Sequence, residues 1–140
     1  MPFRADTLVL VTPRGHPLAV AARSRAVSLV DAEAHDIVGL VEGSALQDNW
    51  DEQAARRGVR LNYRVRLGSF EALCRVIEKG AAVALMPESA ARRHALTMAI
   101  EVLRLADTSL DQRKLQICVR SFDALPLHTQ RLVELLRAAD

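Results

Sequence analysis

Apolar and polar positions follow three rhythms along this chain, and each predicts a different kind of element. The apolar runs Leu8-Val9-Leu10-Val11, Asp36 to Leu40 and Ala81 to Met86 read as short strands buried on both faces. The first runs into Thr12-Pro13-Arg14-Gly15 and the second into Glu42-Gly43-Ser44, both turn signals. Leu61, Tyr63, Val65 and Leu67 alternate with Asn62, Arg64, Arg66 and Gly68, the period of a strand with one wet face. Helical spacing follows Ser44, through Leu46, Trp50 and Ala54, and follows Ser69, through Phe70, Leu73, Cys74 and Ile77. Gly58 and Gly80 are their expected stops, and Gln47 is placed to reciprocate the cap at Ser44.

Shorter helices are expected from Ser28 to about His35, with Asp31 completing a capping box, and from Pro87 to about His94. Ile100 to Leu105 and Leu115 to Val119 add two strands, and a last helix opens at Pro126 with Leu132, Val133, Leu135 and Leu136 as its buried stripe. Strands and helices therefore alternate through most of the chain. That order predicts an α/β fold in which helices cover a mostly parallel sheet.

Composition narrows the function classes. The 140 residues are 50% hydrophobic and 26% charged, enough apolar content for one core. A formal charge of +2, from 19 basic and 17 acidic residues, is too even to hold a polyanion unaided. Arg56-Arg57 and Arg92-Arg93 close two helices, where cations complement the dipole, and the five aromatics are not interleaved with them for base stacking. The longest apolar runs fall far short of a membrane span and no signal-like segment opens the chain, which gives a cytoplasmic expectation. Cys74 and Cys118 read as buried, reduced thiols.

No catalytic constellation is present. Ser44, His16 and Asp31 have the residue types of a hydrolytic triad, but their spacing does not make them neighbours and there is no nucleophile elbow. His16, His35, His94 and His128 are scattered, so no metal site is expected, and His16 before Pro17 reads as a turn residue. Phosphate-loop glycines are missing, and no cofactor is expected. What remains is binding. Gly43-Ser44-Ala45-Leu46 and Gly68-Ser69-Phe70 follow strands and open helices, where free N–H groups and the dipole can receive a carboxylate. The same serines also serve simply as caps of their own helices.

Four stretches in order, Leu8-Val-Leu-Val-Thr-Pro-Arg-Gly-His-Pro-Leu-Ala19, Ser28-Leu-Val-Asp31, Val38-Gly-Leu-Val-Glu-Gly-Ser-Ala-Leu46 and Gly80-Ala-Ala-Val-Ala-Leu-Met-Pro87, carry a family pattern. The chain resembles the effector-binding (substrate-binding) domain of LysR-type transcriptional regulators. The resemblance implies a type 2 periplasmic-binding-protein-like α/β fold, in which two lobes joined by two crossing segments hold a small effector. It implies one complete lobe plus the C-terminal part of the other: residues 1–19 as a remnant of the first lobe and a crossing, 20–110 as the second lobe, 111–140 as a return strand and helix of the first. The strand Leu8 to Val11 is thereby expected outside the second lobe, beside Leu115 to Val119. Relative to the full-length pattern, the helix-turn-helix, the linker helix and the opening of the first lobe are absent from this sequence, so it reads as N-terminally truncated and is not expected to bind operator DNA.

The implied function is sensing of a small-molecule effector, carboxylate-bearing on the chemistry above, for a bacterial regulator. The alternative is a small-molecule-binding protein of a transport system, and an enzyme is not expected. The expected effector contacts are Thr12, Ser44, Ala45, Ser69 and Phe70. Exposed strand edges and helix faces lead to the expectation of a homo-dimer or higher oligomer. In this family the helix after Ser44 can instead meet a partner subunit, so Trp50 is expected either in the lobe core or at such an interface.

Overall fold

The computed structural model describes residues 1–107 and 113–139. In chain order the elements are β1 (Pro2–Asp6), β2 (Leu8–Pro13), α1 (Pro17–Ala21), a 3-10 helix (Leu29–Ala34), β3 (Ile37–Leu40), α2 (Ala45–Arg56), β4 (Tyr63–Leu67), α3 (Phe70–Glu78), β5 (Ala84–Pro87), α4 (Glu88–Ala95), β6 (Ile100–Arg104), β7 (Arg113–Gln116) and α5 (Leu127–Ala138). They form two compact units, Thr7–Asp111 and Met1–Asp6 with Gln112–Asp140. The expected lobe boundary at residues 110 and 111 lies outside the described residues.

In the larger unit the apolar runs become its buried strands. β3 and β4 pair in parallel, Leu40 opposite Leu67, and a parallel bridge from Ile37 to Val83 joins β3 to the chain entering β5. β2 is the centre of an antiparallel trio, with Val9 opposite Met86 of β5 and Arg104 of β6. Two expectations are corrected here. Among the described residues parallel pairing is confined to β3, β4 and the bridges Ile37–Val83 and Val27–Leu105, and β2 lies inside this unit between β5 and β6, not beside the strand near Leu115. An apolar run reports burial on both faces and carries no information on strand direction, which is why the sequence left the antiparallel trio unseen.

The core gathers between these strands and the helices. Val9, Leu10, Val11, Leu29, Ile37, Leu73, Ile77, Val83 and Met86 are completely buried. Each such side chain contributes roughly 1.5–3 kcal/mol by leaving water. The Phe70, Leu73, Cys74, Ile77 stripe of α3 lies on this core as its spacing predicts. Cys74 is buried with it, and burial followed by the charge of Glu78 pushes its thiol up to about 11. Cys118 is exposed, against expectation.

The smaller unit is built separately. β1, absent from the sequence reading, pairs antiparallel with β7, Asp6 opposite Arg113, and Met1 and Ile117 exchange backbone hydrogen bonds of 2.9 and 2.7 Å. In α5 only Val133 is buried, while Leu132, Leu135 and Leu136 are 54%, 64% and 37% exposed, so most of the predicted stripe is left open by the described residues of this unit. A helical stripe marks the face that can bury, and a two-stranded sheet offers too little surface to cover it.

Candidate functional site

Parallel pairing decides where the two serine-capped helices begin. β3 and β4 run the same way, so the helices that follow them start at the same edge of the unit. The strand ends are held together by the Val41 N–H donating to the Leu67 carbonyl at 3.1 Å. Ser44 Oγ accepts the Gln47 N–H at 3.5 Å and Ser69 Oγ accepts the Ala72 N–H at 3.2 Å. The N–H groups of Ala45, Leu46, Phe70 and Glu71 belong to the first turns, which have no acceptor within their own helices. Ser69 and Ala45 are exposed, and Ser44 and Phe70 are half-buried.

α4 also begins at this edge, since β5 reaches Pro87 where β2 starts at Leu8. Its first N–H, that of Glu88, is taken by the Thr7 carbonyl at 2.8 Å, and the Glu88 carboxylate is held by Arg92 and Arg104. α2 and α3 therefore carry the open donors.

A buried network fixes α2 behind this edge. Gln47 is 1% exposed, and its Oε1 accepts the Leu40 N–H at 2.8 Å. Its Nε2 donates to the Tyr63 hydroxyl at 2.6 Å and to Asp51 Oδ1 at 3.0 Å, and the hydroxyl donates to the same carboxylate at 2.8 Å. Burial and then the bond to Asp51 push the Tyr63 hydroxyl well above its ordinary range, so it stays a donor. The Gln47 side chain thus ties helix to strand and does not reach back to Ser44, which corrects the reciprocal cap expected of it. Trp50 is 3% exposed and its ring centroid lies 6.4 Å from that of Phe70, linking the second turn of α2 to the start of α3.

Four of the five expected contacts, Ser44, Ala45, Ser69 and Phe70, come together at this edge. Thr12 does not. β2 runs antiparallel to β5, so Thr12, opposite Glu101 of β6, lies toward the other edge; it is fully buried and its hydroxyl donates to the Pro13 carbonyl at 3.1 Å.

That other edge holds two residues whose proximity the sequence did not reveal. His16 caps α1, its Nδ1 accepting the Leu18 N–H at 3.2 Å, and its ring meets that of His35 at 4.8 Å. The signal for the first was His16 before Pro17, a cap followed by proline at the first helical position; the pairing with His35 left no local signal.

The sequence matches the family described as the LysR substrate binding domain over residues 1–140, and the chain belongs to that family. Its fold is accordingly the type 2 periplasmic-binding-protein-like α/β fold, of which it covers part. Among solved structures it is similar to the Synechocystis PCC6803 CcmR regulatory domain in complex with 2-PG, at 20% identity and a TM-score of 0.76 over 99% of this chain and 65% of that one. It is also similar to the effector-binding domain of QuiR in complex with shikimate, at 16% identity and a TM-score of 0.71 over 99% and 63%. A third is HinK, a LysR family transcriptional regulator from Pseudomonas aeruginosa, at 16% and 0.78 over 99% and 47%. The chain thus spans less than two thirds of the length of each. No curated protein matches it in sequence. The family favours a regulator over the transport alternative.

Proposed function

We propose that this chain senses a small-molecule effector, carboxylate-bearing, for a bacterial LysR-type regulator, and that Ser44, Ala45, Ser69 and Phe70 hold it. The observation that carries the reading is the convergence of two capped helix N-termini on one edge of a parallel strand pair, with the half-buried Phe70 ring beside the donors. Backbone N–H groups and aligned dipoles stabilise an anion there, and the ring supplies apolar contact. The ligands of CcmR and QuiR, 2-PG and shikimate, support a small polar effector as the class.

In this reading Thr7–Asp111 contains the complete lobe, and the strand and helix after residue 112 belong to the other. The chain binds rather than turns over its ligand, acts in the cytoplasm, and reaches DNA only through the regulator's helix-turn-helix domain. No helix among the described residues is long and apolar enough to cross a membrane. The exposed leucines of α5 support association into a dimer or higher oligomer. An effector then acts by favouring one arrangement of the regulator over another, by no more than its differential affinity for the two.

Calorimetric screening of small carboxylates, followed by Ser69→Ala, tests the site. The variant is expected to weaken the effector found by roughly 1 kcal/mol, measured well below the melting temperature because the cap is lost too. Unchanged affinity in Ser69→Ala, Ser44→Ala and Phe70→Ala alike removes this edge as the site, and turnover of the ligand removes the sensor reading.

A further inference from the structure

The larger unit has a concavity of about 320 Å³ at the edge away from Ser44 and Ser69. It is lined by His16, the segment from Ala34 to Asp36 and the segment from Gly80 to Ala82. Three turns build it. His16 caps α1, His35 ends the 3-10 helix just before Asp36 and β3, and Gly80 closes α3 at a φ of 85°, where a side chain would be strained.

The two imidazoles stand edge to face, their planes 64° apart. Because His16 Nδ1 accepts the Leu18 N–H, the neutral ring carries its proton on Nε2. Among the described residues that Nε2 has no protein acceptor, and neither ring nitrogen of His35 has a partner. The tautomer argues against a metal, which needs a free lone pair where His16 presents a proton. Asp36 is engaged as well, its Oδ1 accepting from Arg64 Nε at 2.7 Å. No group of three or more His, Cys, Asp or Glu able to hold a metal occurs among the described residues.

Donors on this scale suit an acceptor, and protonation of either ring would add positive charge. The surrounding charges leave room for a negative one. Asp36 is paired with Arg64, the Glu101 carboxylate accepts the Gly15 N–H at 3.2 Å on the loop before His16, and Lys79 directly precedes Gly80. Burial, and then the charge of His35, lowers the pKa of His16, so protonating the pair without a counter-charge is unfavourable.

We propose that this pocket is a second ligand site, specific for a small oxyanion, in which binding is coupled to protonation of the His16–His35 pair. It goes beyond the effector reading and does not depend on it. An oxyanion here would link the start of α1 to the entry of β3, whose far end leads to Ser44.

The test is proton NMR of the imidazole C2–H signals in the 140-residue chain during titration with sodium sulfate, whose charge is the same at both about pH 5.5 and about pH 7.5. His94 and His128 serve as internal controls. The expected result is saturable movement of the His16 and His35 signals, with binding about tenfold tighter at the lower pH. His35→Gln retains the His16 cap and should lose at least most of that pH dependence. Acetate in place of sulfate reads whether the pocket prefers a planar or a tetrahedral oxyanion. Parallel, non-saturating movement of all four histidines, or saturable binding indifferent to pH or to His35→Gln, overturns the proposal. A sulfate result of that kind leaves the Ser69→Ala test untouched, so the two readings fail separately.

Discussion

The two edges of the larger unit present donors of different kinds. At the Ser44 and Ser69 edge the donors are backbone N–H groups at the ends of twelve- and nine-residue helices, which keep their charge distribution at every pH. At the His16 and His35 edge they are side-chain imidazoles, a type of group whose donors change with protonation. The first edge rests on packed interior, with Trp50 and Leu73 buried beneath it and the Gln47, Tyr63 and Asp51 network behind it. The second rests on turns. Fixed donors over a rigid core suit selective recognition, and titrating donors on loops suit a response to conditions.

The sharpest way to break this comparison is to remove the support of the first edge. Trp50→Ala deletes a ring buried in the core and in contact with Phe70, and should cost about 3–5 kcal/mol of unfolding free energy in urea. A loss below about 1 kcal/mol with a lower oligomer mass in light scattering would instead place Trp50 at an interface between copies.

Much of the first edge was legible because its signals are local. Ser44 and Ser69 precede their helical stripes by one or two residues, and the alternation from Leu61 to Leu67 marked β4 before any pairing was known. The Gln47 side chain was legible as a helix-start residue but not as the partner of Leu40 and Tyr63, because strand pairing alone brings β3 and β4 under it. Thr12 was misplaced for a related reason: its edge depends on the antiparallel direction of β2. The second edge was hidden because it joins positions 16, 35 and 80 across three elements, and no periodicity links a cap, a loop and a glycine stop. The missing cover over α5 was equally invisible, since a stripe predicts which face is apolar and not whether anything lies on it.

A smaller and more pointed change tests whether the network behind the first edge is rigid. Gly39 sits in β3 opposite Arg66, and a Cβ built there would lie 2.5 Å from Tyr63 Cδ1 and 2.9 Å from Gln47 Oε1. Gly39→Ala must displace the Tyr63 ring and Gln47 together, so about 1–3 kcal/mol of stability is expected to be lost in thermal unfolding, with weakened effector binding as α2 shifts. Full stability in this variant would show that the network yields easily, and the contrast between a rigid edge and an adaptable one would fall.

The smallest expected effect belongs to the second edge and is a matter of pH. His16 must be neutral for Nδ1 to accept the Leu18 N–H, and its folded-state pKa is lowered from 6.5 by burial and then by His35. A lowered pKa means the unfolded chain takes up the proton first, so this contribution is complete above pH 6.5 and is lost as pH falls below it. Its size is bounded by the worth of a helix cap, about 1 kcal/mol. Asp31, held near a pKa of about 2 chiefly by Arg25 and then by the Ser28 N–H, contributes stability that is present above 3.8 and lost only as pH falls toward 2. The histidine step begins at 6.5, well above the 3.8 at which the Asp31 step begins, so its onset is readable by itself. His16→Asn keeps a capping side chain without a titrating one, and should flatten the stability profile between about pH 7 and about pH 5 while leaving the acid limb in place. Sulfate, if it occupies the histidine pocket, should reverse the loss of melting temperature at about pH 5.5 in the parent chain and have no such effect in His16→Asn. A parent profile that is flat across that interval, with or without sulfate, would mean that the second edge does not titrate with folding and that the two edges differ in geometry alone.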